Sequence, residues 1–260
     1  MQFTNPDTDV FVPDGIGTDD ALARTTHLAI GAHQDDLEFM ALHGILECLS
    51  RPERWFTGVT MTDGTGSARS GPYAEYSDEE MSETRVTEQR KAAEMGEYGC
   101  QIQLMFPSAT VKDARESGPV EDLAAILEVA RPQTVYLHNP ADKHDTHVAC
   151  VLRSIDALRT LPPDRRPMSV YGCELWRDLD WLVDSDKRLL PVDDRPDLGE
   201  ALGTPDARAR GICRCAVGYF SFSGCPGLAR HSHVVPGMGS SRPSDISPDP
   251  RCSRENRYSP

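Results

Sequence analysis

Along the first 160 residues, short apolar runs that stop at glycine or polar turns alternate with stretches whose apolar positions recur every three or four residues. Residues 26–33 (THLAIGAH) form such a run, the pattern of a buried strand feeding a turn. Asp35 and Asp36 supply helix-start chemistry, and Leu37, Met40, Ala41, Ile45 and Leu49 then recur at helical spacing. Residues 55–61 (WFTGVTM) predict a second strand, and residues 101–106 (QIQLMF) and 134–138 (TVYLH) a third and fourth. Helices are expected over residues 83–98, with Gly99 as the stop, over 120–130, closed by Arg131-Pro132, and over 148–158. Between the second strand and its helix lies a polar, glycine-rich loop, residues 62–80, too long for a plain connector and therefore a candidate substrate lid.

Strands alternating with helices predict βαβ units. The expected fold is α/β and Rossmann-like, a mostly parallel sheet with helices on both faces. The pattern weakens after about residue 205. Three segments are expected: an N-terminal extension (1–24), a catalytic-type domain (25–204) and an atypical, poorly ordered, irregular tail (205–260). The tail carries eight Lys/Arg against four Asp/Glu, whereas the whole chain of 260 residues has a net charge of −14.

That acidity argues against nucleic acid and anionic membranes as partners, since both are bound through clustered Lys and Arg. No apolar run approaches the roughly 20 residues that span a bilayer. The start of the chain is acidic and lacks the features of a signal peptide, so a cytoplasmic location is expected. Of the eight cysteines, Cys48, Cys100, Cys150 and Cys173 fall in predicted elements and read as buried thiols. Cys213, Cys215 and Cys225, with His231 or His233, match no common zinc-knuckle spacing.

Two His/Asp clusters follow predicted strands. In His33-Gln34-Asp35-Asp36, a strand-to-helix turn can aim His33 and Asp36 at one point, and both are good zinc donors. The alternative is that the two aspartates only cap a helix. In His144-Asp145-Thr146-His147, two histidines three apart can face a cleft. A parallel sheet brings both clusters to one rim, beyond the carboxyl ends of its strands. A catalytic zinc keeps three protein ligands and one open position, a set that His33, Asp36 and His147 supply. His138 and Asp142 stand beside the second cluster and are read as shaping its turn. Trp176 and Trp181 are read as core aromatics.

Residues 32–38 (AHQDDLE) resemble the AHPDDxE signature of the PIG-L (LmbE-like) deacetylase family, and residues 144–147 (HDTH) resemble its second motif. Thr62-Asp63-Gly64 and the Arg85…Glu88 helix with Ala92-Ala93 are similar to the family's middle segments, so the resemblance runs from about residue 25 to 180. It implies one zinc ion per chain, with other divalent metals accepted, held by His33, Asp36 and His147. It implies Asp35 as general base, and His144 as the group that stabilises the oxyanion or protonates the leaving amine. The implied reaction is removal of an N-acetyl group from a small N-acetylglucosamine-containing molecule. Asp63 and Arg69, on the loop at the same rim, are the candidate substrate contacts, and Glu38 a candidate orienting partner for a ligand. Gln34 stands where the family carries proline, whose ring stiffens this turn. A zinc amidase for larger amides and a catalytically weak carbohydrate-binding protein stand beside this reading. A nucleotide-binding module does not, because no GxGxxG follows the first strand.

Overall fold

A computed structural model describes residues 1–176, 179–192, 195–202 and 215–219. Among them, eight strands join in one sheet: β1 (Asp9–Phe11), β2 (His27–Gly31), β3 (Phe56–Thr62), β4 (Cys100–Phe106), β5 (Thr134–His138), β6 (Ser169–Cys173), β7 (Lys187–Leu190) and β8 (Cys215–Tyr219). Their spatial order is β1-β4-β3-β2-β5-β6-β8-β7. The five central strands β4, β3, β2, β5 and β6 run parallel. β1 is antiparallel at one edge, and β8 and β7 are antiparallel at the other. From β2 the chain builds outward through β3 and β4 and then returns to add β5 and β6 on the opposite side. The switch in direction therefore falls between β2 and β5, which pair directly with Ile30 opposite Leu137. Ligands collect in the crevice at such a point.

Helices α1 (Thr18–Ala23), α2 (Asp36–Met40), α3 (Leu42–Cys48), α4 (Asp78–Met95), α5 (Ser108–Lys112), α6 (Gly118–Ala130), α7 (Asp145–Thr160) and α8 (Pro196–Leu202) cover the sheet. Side chains alternate between its faces with the strand period. Leu28 and Ile30 of β2 and Val135 and Leu137 of β5 pack with α1, α6 and α7. Ala29 and Tyr136, from the same strands, pack against α2, α3 and α8. The two central strands are buried on both faces, which is why they read as continuous apolar runs.

The elements differ from expectation at their ends. The helix expected after Asp36 is two helices, broken at Ala41, where φ is −120° and ψ 18°. α4 begins at Asp78 rather than 83 because Ser77 and Glu80 form a reciprocal capping box, and this shortens the candidate lid. α7 begins at Asp145, so His147 sits in its first turn. The N-terminal extension contains β1 and α1, and Thr4 donates to Asp122 from both its backbone N–H and its hydroxyl (2.8 Å each). The atypical tail lies outside the described residues except for β8, as does the Cys213–His233 group apart from the backbone of Cys215. Among the described residues no helix is long and apolar enough to cross a membrane.

Candidate metal centre

β2 ends at Gly31, and the chain turns at once into α2. A Cβ on Gly31 would meet Asp36 Cβ at 3.0 Å and Leu37 Cδ2 at 3.1 Å, so glycine is what lets α2 start directly over the strand end. Asp35 caps α2 in the left-handed region, with φ 81° and ψ −22°. Aspartate tolerates that region better than most residues, and neighbouring groups hold it there. Gln89 Oε1 accepts the Asp35 N–H (3.0 Å), and Gln89 Nε2 donates to the buried Glu38 carboxylate (2.8 Å), which also accepts from Tyr98 (2.7 Å). Glu38 is thus buried behind the turn; burial pushes its carboxyl up to about 7. Gln34 is buried as well, and donates to the Thr62 carbonyl (3.1 Å) and Gln103 Oε1 (3.2 Å). The stiffness a proline ring would give is supplied here by hydrogen bonds to β3 and β4.

The turn and the β5–α7 segment converge. His33 Nδ1 lies 3.2 Å from His147 Nε2 and 3.4 Å from Asp36 Oδ2, and His147 Nε2 lies 3.6 Å from Asp36 Oδ2. Donors at 2.0–2.2 Å from a tetrahedral metal are separated by about 3.3–3.6 Å, and this triangle fits one ion. Two wider groups, His33/His144/His147 and Asp36/His138/His147, also have their donor atoms within 4.8 Å of one another. The second includes the fully buried His138, whose Nε2 lies 3.1 Å from Asp36 Oδ2. The Ala32 N–H also lies within hydrogen-bond distance of that nitrogen (2.9 Å).

Electrostatics suit a cation. Burial opposes the Asp36 charge, but His138, His33 and His147 more than offset it and hold its carboxyl well below the usual range. Burial lowers the His147 pKa, a shift toward the neutral imidazole, the form that binds metals. Behind it, His147 Nδ1 lies 3.0 Å from Asp142 Oδ2, the carboxylate partner that fixes a ligand histidine's tautomer. Asp142 therefore does more than shape the turn. His33 moves the other way, because Asp36 and Asp35 more than reverse the effect of burial and raise it.

Asp35 stands apart from the triangle, and its Oδ2 accepts from Arg85 of α4 (2.9 Å). Burial, then the charge of Asp36, raises its pKa to about 6 despite Arg85. His144 faces His33 edge-on, with ring centroids 5.0 Å apart. Burial and the two neighbouring imidazoles lower its pKa. Asp63 and Arg69 are engaged within the loop. Asp63 Oδ1 accepts from Thr65 N–H (3.0 Å) and hydroxyl (2.9 Å). Arg69 Nη1 donates to the Thr65 and Ser67 carbonyls (2.7 Å each), and Nη2 to Asp78 (2.5 Å). Nothing in local spacing marks Gln89, Arg85 or Asp142, whose roles depend on tertiary placement.

The family model described as PIG-L: GlcNAc-PI de-N-acetylase matches residues 28–158, just over half of the chain and all of the cluster from His33 to His147. Comparison with curated protein sequences finds no match. Among solved structures, the fold is similar to GalB, the 4-carboxy-2-hydroxymuconate hydratase from Pseudomonas putida KT2440 (TM-score 0.61, 16% identity, covering 79% of this chain and 100% of that one). It is similar to the N,N'-diacetylchitobiose deacetylase from Pyrococcus horikoshii (TM-score 0.54, 17% identity, 72% and 73% covered). It is also similar to the zinc-inhibited form of teicoplanin deacetylase Orf2 (TM-score 0.54, 12% identity, 75% and 97% covered). At these identities the likeness is one of fold, shared by a hydratase and by deacetylases.

Proposed function

The chain belongs to the PIG-L family of de-N-acetylases, and from that premise we propose that it is a zinc-dependent hydrolase that removes the acetyl group from an N-acetylglucosamine-containing small molecule or glycoconjugate. The observation that carries this reading is the triangle of His33 Nδ1, Asp36 Oδ2 and His147 Nε2, with edges of 3.2, 3.4 and 3.6 Å, beside a carboxylate outside it. In this reading those three residues hold the ion, and a divalent metal there supplies a water of lowered pKa and a Lewis acid for the acetamide oxygen.

The remaining chemistry belongs to the side chains. Asp35 takes the proton of the attacking water and returns it to the leaving nitrogen; a carboxyl near 6 is suited to both steps. His144 offers a ring N–H to the oxygen that gains negative charge, a contribution of about 3–4 kcal/mol for one well-placed donor. The products are acetate and a free amine. Arg69 and Asp63 act on substrate in this scheme by shaping the loop that borders the site. Three buried free thiols, Cys48, Cys100 and Cys150, support a reducing, cytoplasmic setting.

The test is to purify the protein, measure bound zinc, and assay amine and acetate release from several N-acetylglucosaminides. Equal release of amine and acetate, dependent on zinc, is expected. Amine without acetate from a bulkier amide would replace this reading with an amidase, and bound metal and sugar without turnover would replace it with a binding protein.

A further inference from the structure

Trp176 follows β6 and stands outside residues 28–158, the stretch the family model matches. It is not a core aromatic: it is 36% exposed, and its ring stacks near-parallel to His147, at 16° with centroids 5.9 Å apart. Its indole Nε1–H donates to Asp142 Oδ1 at 3.1 Å, and the His144 backbone N–H donates to the same oxygen at 2.9 Å. The other oxygen of that carboxylate faces His147 Nδ1 at 3.0 Å. Lys143 adds a second hold on the indole, with its ammonium 4.2 Å from the ring centroid.

A carboxylate whose side chain is fully buried has few rotamers to choose between, and two donors on Oδ1 leave Oδ2 one direction to face. That direction is the Nδ1 of His147. With the proton held on Nδ1, the lone pair of Nε2 points toward Asp36 and His33. We propose that Trp176 is a positioning residue of the metal centre, locking the Asp142 carboxylate against His147 and so fixing the nitrogen that meets the ion. The inference rests on the metal-site reading above and adds to it a residue drawn from beyond the matched stretch. Its N–H and its ring face make separable contributions, since phenylalanine keeps a stacking ring and lacks the donor.

The experiment measures zinc dissociation constants by competition with a chromogenic chelator for the unmodified chain, Trp176→Phe, Asp142→Asn and the double variant, with thermal melts of each metal-free protein. Trp176→Phe is expected to bind zinc about 10-fold more weakly, within the range seen for partners of ligand histidines. Its metal-free melting temperature should be unchanged. The double variant should bind no more weakly than Asp142→Asn alone, because Trp176 acts through that carboxylate. Unmodified zinc affinity in Trp176→Phe, or losses that simply add in the double variant, would overturn the proposal while leaving the metal site standing. If the unmodified chain binds no zinc, the metal-site reading fails, and this inference with it.

Discussion

Arg85 reaches from α4 to the turn after β2, where Nη2 lies 2.9 Å from Asp35 Oδ2 and 2.6 Å from the Gln34 carbonyl. One guanidinium thus sets both the backbone and the charge of the proposed base. Burial and Asp36 raise the Asp35 pKa to about 6, and Arg85 acts in the opposite direction. Without Arg85 the carboxyl would hold its proton to a higher pH. In Arg85→Met the acid limb of the kcat profile is therefore expected to move upward, with a loss of roughly tenfold at pH 6.5 and less at pH 8. A uniform loss at every pH would mean that Arg85 orients the turn without tuning its charge.

Gln34 replaces a ring constraint with two side-chain hydrogen bonds. In Gln34→Ala, the buried Thr62 carbonyl and Gln103 amide each lose a partner, a cost of about 1–3 kcal/mol. At roughly 2–4 °C per kcal/mol for a chain of this size, the melting temperature should fall by several degrees. A melt within one degree of the unmodified protein would show that these bonds add nothing to the turn.

His27 makes the fold sensitive to acid at a place remote from the metal centre. Burial, assisted by Arg54, lowers its pKa from 6.5 to about 4. Below about pH 6.5 the unfolded chain takes up a proton that the folded chain refuses until about 4. The stability of the neutral buried ring is therefore complete above about pH 6.5 and is lost as pH falls toward 4. Thermal melts at about pH 7.5 and pH 5 should show a smaller drop for His27→Asn than for the unmodified chain. Equal drops would remove His27 from the acid response.

The order of elements and the meeting of the two His/Asp clusters were legible because β2 and β5 are apolar on both faces and each ends in its cluster. The edge strand β1, three residues long, has no periodicity to detect. The break at Ala41 leaves the helical spacing of Leu37, Met40 and Ile45 intact, so hydrophobicity alone does not mark it. The groups that hold the site lie far from it in sequence: Gln89 is 54 residues from the backbone N–H it receives, and Trp176 is 34 from Asp142. No spacing rule reaches that far. Only packing of α4 and of the segment after β6 against the switch point brings them into range.

In the proposed reaction, holding the ion and activating water are separate tasks that fall to different residues. Asp35→Asn keeps His33, Asp36 and His147, and asparagine tolerates the left-handed backbone at this position. It should bind zinc stoichiometrically and lose about 10²–10⁴-fold in kcat, the usual worth of a general base. His147→Ala removes one corner of the triangle and should lose both zinc and turnover. Melting curves give an independent readout. Zinc at a large excess over its dissociation constant should raise the melting temperature of the unmodified chain and of Asp35→Asn, since a ligand of the folded state stabilises it by mass action. It should leave His147→Ala unmoved. Full activity in Asp35→Asn would remove Asp35 from the base role, and zinc-dependent stabilisation of His147→Ala would move the ion to donors other than this triangle.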